Sequence, residues 1–451
     1  MNENIRTLAH AIENFNSIDR ALYDKYDIRR GLRNKDGTGV LVGITAVGDV
    51  SGYERVEGKK VPAEGNLFYR GYSILDIVKD LHAHDRFGFE EVTYLLLFNK
   101  LPDKRSLEDF KKILVEERVL PDHFLEDVIL KVPGKNIMNK MMRSMLTLYS
   151  YDPDPDNMET LNVLEQSMSL IAKLPLIMAY AYQAKKHYLD DDSLIIHYPY
   201  EDRSMAENIL HLIRKEDDFT DLEAKVLDLL LIIHAEHGGG NNSAFATHVV
   251  SSSGTDTYSS IAAGLASLKG PRHGGANLKV AEMLDDIVEN VKDPKDLDQL
   301  KAYLEKLLKG EAFDKKGLIY GLGHAVYTLS DPRAQLLKTQ AKKLAEIKGR
   351  MDKFELIENI EKLGSKMVQA KNGSEYPACA NVDMYSGFVY EMLEIPRELY
   401  TPLFAVSRMS GWCAHRLEQI LDNKIIRPAY KSKVEIKDYE GIEDREALSW
   451  E

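Results

Sequence analysis

The chain has 451 residues, 44% of them hydrophobic and 29% charged, which excludes a disordered chain and allows a large buried core. Its formal net charge of −13 argues against a nucleic-acid-binding surface and requires any anion site to be built locally. Two cysteines, Cys379 and Cys413, are too few for a disulfide framework and point to a reducing compartment.

The opening "MNENIRTLAHAIENF" carries acidic residues and no apolar core, unlike a secretion or transit signal. No apolar run approaches the about 18–20 residues of a membrane span. A soluble, cytoplasmic protein is expected. Strand-like sequence is concentrated at 39–56, "GVLVGITAVGDVSGYERV", and 66–74, "NLFYRGYSI", where β-branched runs meet glycines. Most of the remaining signals are helical. "DLEAKVLDLLLIIHAEH" has apolar residues at helical spacing, with "GGG" at 238–240 as its stop, so His234 and His237 should share one helix face. "GPRHGGAN", 270–277, interrupts helical sequence on both sides and sets His273 among glycines. The charges of 292–316 read as solvated helix faces. "SDPRAQLLKTQAKKLAEI" starts a helix, with Ser330 or Asp331 as cap and Pro332 just inside. "IPRELYTPLFAVSRMSGWCAHRLEQIL" is a last long helix, whose Pro402 belongs to a first turn or marks a kink.

Chemistry is sought first among the histidines. His273 and His324 both follow glycine-rich turns, where backbone can approach a ligand and a side chain can project. A single histidine beside glycine is more often a cap or core residue, so spacing alone leaves these undecided. A metal site is not expected: "HAEH" lacks the HExxH pattern and no CxxC pair is present. No G-x-S-x-G elbow suggests a hydrolase, and the "GTG" and "GLG" elements lack the spacing of a dinucleotide fingerprint.

Taken together and in order, "LFYRGYSI", residues 234–277, "GLGHAVYTLSDPRA", "NVDMYSGFVY", "SRMSGWCAHRLEQ" and "IIRP" resemble the citrate synthases. The resemblance runs from about residue 38 to about residue 430. It implies a mainly α fold with a minor β element near the N-terminus, in which a smaller helical domain at 278–390 interrupts a large domain of 1–277 and 391–451. It also implies an acyltransferase that joins acetyl-CoA to oxaloacetate and hydrolyses the resulting thioester, with no tightly bound cofactor. Propionyl-CoA and 2-methylcitrate are the near alternative; a catalytically silent binding protein is the remote one. By position, Asp383 matches the base, His273 the donor that stabilises the enol, and His324 the residue that polarises the oxaloacetate carbonyl. His237, Arg333, Arg408 and Arg427 match the oxaloacetate ligands, with Arg427 supplied across a homodimer interface. Leu318, Ile319, Tyr320, Gly321 and Gly323 match the segment that meets CoA. Relatives often have a basic residue one or four positions after the second histidine, where this chain has Ala325 and Thr328; Lys371 is the candidate substitute.

Overall fold

The computed structural model describes residue 9 and residues 18–57, 59–434 and 436–445. An antiparallel sheet is formed by β1 (Gly48–Val56), β2 (Lys59–Tyr69) and β3 (Tyr72–Ser73), in that order. Gly48 pairs with Tyr69 and Val56 with Lys59, and the register slips between Ser51 and Tyr53. Strand pairing therefore begins at Gly48. The apolar residues expected to extend it, Leu41 and Ile44, are almost fully exposed.

Ten helices carry the rest of the description: α1 (Thr160–Leu189), α2 (Asp221–His234), α3 (Asn242–Ser251), α4 (Thr257–Lys269), α5 (Ala276–Asn290), α6 (Leu297–Lys309), α7 (Pro332–Lys348), α8 (Met351–Asn372), α9 (Asp383–Met392) and α10 (Tyr400–Asp422). The molecule is mainly helical. The core is organised around α1 and α10, which pack on each other. From Leu170 to Ala184 every residue of α1 is buried, including Pro175 in mid-helix. On α10 an unbroken run from Ala405 to Leu417 is buried, with Trp412 at its centre. Such all-round burial belongs to central helices rather than amphipathic surface ones. Helices α5 to α9 also pack among themselves, α9 against α5, α7 and α8, and α6 against α8.

The capping signals act where the sequence places them. The Asp331 side chain caps α7, and Pro332 takes its first position. Pro402 lies in the first turn of α10, where its missing N–H costs no hydrogen bond. Helix α2 stops at His234, earlier than its pattern suggests, so His237 lies beyond the helix rather than on its face. The Tyr69 hydroxyl lies 2.9 Å from the Ile232 carbonyl and 3.2 Å from the Glu236 carbonyl. It also accepts the Glu236 N–H at 3.3 Å. That bonding fixes the turn after α2 and gives the "LFYRGYSI" segment its structural use.

The chain divides into two compact units, Gly43–Ile426 and a second formed by Met1–Val42 with Arg427–Glu451. The second unit holds a short helix at Ala21–Lys25, a 3-10 turn at Arg30–Leu32, and an ammonium–ring contact of 5.4 Å between Lys431 and Tyr26. Among the described residues no helix is long and apolar enough to cross a membrane.

Candidate active site

Two glycines of the sheet prepare a seat for the loop that carries His324. A Cβ on Gly52 would lie 2.6 Å from the Tyr327 Cα, and one on Gly65 would lie 2.1 Å from the Ser330 carbonyl. Only hydrogen fits there. The loop is pinned on its other side by residues 379–381. Gly323 N–H donates to the Cys379 carbonyl at 2.8 Å, Asn381 N–H donates to the Gly321 carbonyl at 2.9 Å, and Leu322 and Ala380 form an isolated antiparallel bridge. Gly321 and Gly323 have φ of +87° and +85°, a region where side chains are strained. The Asn381 amide donates to the Gly323 carbonyl at 2.9 Å, while its oxygen accepts the Asp383 N–H at 3.0 Å. This stitch brings the His324 loop beside the start of α9, and so beside Asp383.

The His324 ring is oriented by backbone. Val326 N–H and Tyr327 N–H both donate to Nδ1, at 3.0 and 3.1 Å, and the ring stacks on Tyr327 at 4.5 Å. Two donors at Nδ1 make it the acceptor, which places the proton of a neutral ring on Nε2. Nε2 lies 3.5 Å from Arg333 Nη2, too long to outweigh the two backbone contacts.

Asp331 organises three partners with one carboxylate. It caps α7, accepts two bonds from the Arg333 guanidinium at 3.0 and 2.7 Å, and accepts the Val382 N–H at 3.3 Å, one residue before Asp383. Asp331 and Arg333 are both buried. Burial opposes the Asp331 charge, but the adjacent guanidinium outweighs it and holds the carboxyl below its ordinary range. The reverse holds for Arg333, whose charge is secured by Asp331 against the cost of burial. Asp383 differs in kind. Part of its surface is reachable by solvent, yet the packing around its carboxylate desolvates it and pushes its pKa up to about 6, against the pull of Arg333.

Across from these groups lie the end of α2 and the middle of α10. Arg408 is fully buried, and its Nε donates to the His234 carbonyl at 2.6 Å. Among the described residues its Nη1 and Nη2 have no hydrogen-bond partner, and neither does His237 Nε2. Burial lowers the Arg408 pKa to about 10, which leaves it cationic at neutral pH. The His237 ring is 5.2 Å from the His324 ring. Burial and then Arg333, His324 and Arg408 hold it far below an ordinary imidazole, so it is neutral. His234 turns away: its Nδ1 bonds the Leu230 carbonyl at 2.8 Å, and its ring packs on Phe404.

His273 approaches from the turn between α4 and α5. Its Nε2 lies 3.0 Å from Ser243 Oγ, which also accepts the Trp412 indole N–H at 3.1 Å. Burial, and then the charge of Arg408, lower its pKa to about 4. The neighbouring glycines serve packing: a Cβ on Gly274 would meet the Leu268 carbonyl at 2.2 Å and the Thr401 methyl at 2.8 Å. Buried donors and cations thus gather near one carboxylate of raised pKa, an arrangement suited to a dianionic ligand and to proton removal from a weak carbon acid.

Arg427 is exposed and belongs to the second compact unit. Ile319 is buried and Leu318 exposed. The Tyr320 hydroxyl donates to Asp314 at 2.6 Å. Lys371 donates to the Leu308 and Gly317 carbonyls, both at 2.7 Å, which engages two of its three N–H bonds. Sequence reasoning named Asp331 only as a helix cap and passed over Ser243, Glu236 and His415. The signal for Glu236 was present, since it stands between the two histidines of "HAEH".

A family model described as citrate synthase, C-terminal domain, matches residues 36–429. The citrate synthase of Haloferax volcanii is 33% identical over 411 residues, covering 89% of this chain and 94% of the relative. The 2-methylcitrate synthase 1 of Corynebacterium glutamicum is 30% identical over 411 residues, covering 89% and 96%. The solved ternary complex of carboxymethyl coenzyme A and oxaloacetate with the citrate synthase of Thermoplasma acidophilum aligns with a TM-score of 0.74 at 28% identity, covering 92% of this chain and 99% of that one. The chain belongs to the citrate synthase family. It is an acyltransferase that condenses an acyl-CoA with oxaloacetate, and the family works without a tightly bound cofactor.

The seat under the His324 loop can be tested directly. Gly65→Val should push the loop off the sheet and lower kcat/KM by about 10²-fold, the scale of a misplacement near 1 Å. Steady-state kinetics and a thermal melt check this; unchanged kinetics in a folded variant would show that the close contact is not needed.

Proposed function

We propose that the chain is a citrate synthase in the narrow sense, using acetyl-CoA, and that it works as a homodimer in the cytoplasm. The reading rests above all on one observation: His324, Arg333 and Asp383 meet through the 321–323 and 379–381 stitch, with the His324 proton on Nε2. Arg333, Arg408 and an Arg427 contributed by the second subunit hold the carboxylates of oxaloacetate, with His237 as a further contact. Arginine suits this because its planar fork gives a carboxylate two parallel hydrogen bonds. Asp383 takes a proton from the thioester methyl group. His273, neutral, donates a hydrogen bond to the developing enolate oxygen, an effect worth about 2.7–4 kcal/mol for one such donor. The new carbon–carbon bond forms at the oxaloacetate carbonyl, whose oxygen takes a proton from His324 Nε2. Water then cleaves the thioester to release citrate and CoA.

Leu318, Ile319, Tyr320, Gly321 and Gly323 form the CoA-side surface, and Lys371 holds the Gly317 carbonyl at its entrance. Residues 278–390, the helices α5 to α9, act as the smaller domain that closes over the ligands and excludes water. The apolar side chains of Leu41, Ile44, Tyr430, Val434 and Ile436, each more than four-fifths exposed, favour a partner subunit.

The Corynebacterium glutamicum relative supports a second reading, 2-methylcitrate synthase acting on propionyl-CoA. One methylene changes selectivity by about 1–3 kcal/mol, or roughly 10–200-fold. Steady-state assays with oxaloacetate and each acyl-CoA decide between the two. The expected result is a kcat/KM at least about tenfold higher for acetyl-CoA; a preference for propionyl-CoA would replace the first reading with the second.

A further inference from the structure

Beside the buried Arg408 and His237 lies a polar chain that the condensation itself does not use. The Glu236 and His415 side chains are both fully buried, and His415 Nε2 lies 3.0 Å from Glu236 Oε1. That oxygen also accepts the Gly238 N–H in a very short bond. His415 Nδ1 lies 3.0 Å from His248 Nε2, and His248 Nδ1 lies 2.9 Å from Gln419 Oε1. Glu418 lies 3.7 Å from His415 Nδ1 on the same helix and also accepts the Ala46 N–H at 2.7 Å. The order of protons along this chain follows from its ends. The Gln419 oxygen accepts, so His248 Nδ1 carries the hydrogen and His248 Nε2 is bare. His415 Nδ1 must then donate to it, while His415 Nε2 donates to the Glu236 carboxylate. Both ring nitrogens of His415 carry protons, which makes it an imidazolium. Burial opposes that charge, but Glu236 outweighs it and raises the pKa of His415 to about 9.

Among the described residues the other oxygen of Glu236, Oε2, has no hydrogen-bond partner, like the two outer nitrogens of Arg408. Glu236 and Arg408 nevertheless feel each other's charge. Space for Glu236 is provided on two sides, where a Cβ on Gly48 would stand 2.8 Å from its Cγ and one on Gly411 would stand 2.6 Å from Oε2. A free buried carboxylate beside a buried guanidinium is a competitor for any carboxylate ligand.

We propose that His415 is a positioning residue that engages Glu236, keeping that carboxylate from pairing with Arg408 and leaving the guanidinium tips open to the substrate dianion. The inference rests on the oxaloacetate-binding role given to Arg408 above. Without the imidazolium, Glu236 turns toward Arg408 and occupies the subsite from within.

The proposal makes a double-variant test. His415→Asn should raise the KM and Kd for oxaloacetate about tenfold or more, the scale of one charge-assisted hydrogen bond, with kcat and the acyl-CoA KM within about twofold. Adding Glu236→Gln removes the competitor and should restore most of the oxaloacetate affinity. A double variant as weak as His415→Asn alone, or weaker, overturns the proposal. So does a loss shared by kcat and both KM values, which a merely structural role predicts. Nitrogen-15 spectra of the wild-type histidines at neutral pH give a second measurement that needs no variant: one buried ring should show two protonated nitrogens. A singly protonated His415 overturns the proposal. So does a stoichiometric metal, because the ligand atoms of His248, His415 and Glu418 lie within 4.8 Å of one another. Calorimetric binding of oxaloacetate and the spectra do not need turnover, so they separate failure here from failure of the citrate synthase reading.

Discussion

Asp383→Ala should lower kcat by about 10²–10⁴-fold, the range that a placed general base contributes, while the fold survives. The carboxylate is expected to work as a base, so it must be ionised. Its raised pKa then predicts a wild-type rate that falls about tenfold per pH unit below roughly pH 6 and is independent of this group above it. The stability effect has the opposite sign. A carboxyl whose pKa is raised on folding contributes stability that is complete below its unfolded pKa and is lost as pH rises through about 6. At pH 8 the alanine variant should therefore resist denaturant at least as well as the wild type. A pH–rate profile and a pair of urea titrations measure both halves, and a variant with full turnover would falsify the assignment of the base.

The second large effect separates two arginines that look alike in sequence. Among the described residues Arg408 is hydrogen-bonded by protein only at Nε, with its guanidinium over the Phe404 ring at 4.8 Å, so Arg408→Leu should raise the KM for oxaloacetate by about 10–150-fold, equivalent to about 1.5–3 kcal/mol, with modest loss of stability. Arg333 is held by both oxygens of a buried aspartate. Arg333→Leu strands that carboxylate, and the expected cost is about 3–5 kcal/mol of folding stability in addition to lost binding. Denaturant titration beside oxaloacetate kinetics distinguishes them. Equal destabilisation by the two variants would show that the Asp331 pairing does not divide their roles.

Beyond the family resemblance carried by the ordered motifs, what could be read from the sequence was local. The start of α7 at Asp331 and Pro332, the first turn of α10 at Pro402, and the break around His273 all announce themselves through capping and turn chemistry within a few residues. Relations between distant segments could not be read that way. The middle of helix α1 is buried on every side, so no apolar stripe marks it, and its interior proline argues against it. Strand propensity at 39–47 was real, but the sheet begins only at Gly48, and upstream of it Gly39 makes just an isolated bridge with Arg33. The end of α2 at His234 is set by Tyr69, 167 positions from Glu236 in the chain. For the site, histidines in glycine-rich turns were visible. The partners that orient them, Ser243 for His273 and Asn381 for the His324 loop, come from separate segments and carry no local signature.

The single carboxylate of Asp331 reaches a helix end, an arginine and the amide next to Asp383. If Arg333 holds the dianion and Asp383 is the base, as proposed, anion recognition and base placement share one hinge pin and cannot be adjusted one at a time. Transplanting "GLGHAVYTLSDPRA" into another scaffold would carry the letters of the site but leave behind the 379–383 strip against which they are aligned. Engineering for a bulkier acyl group has to leave this joint alone and work at the rim.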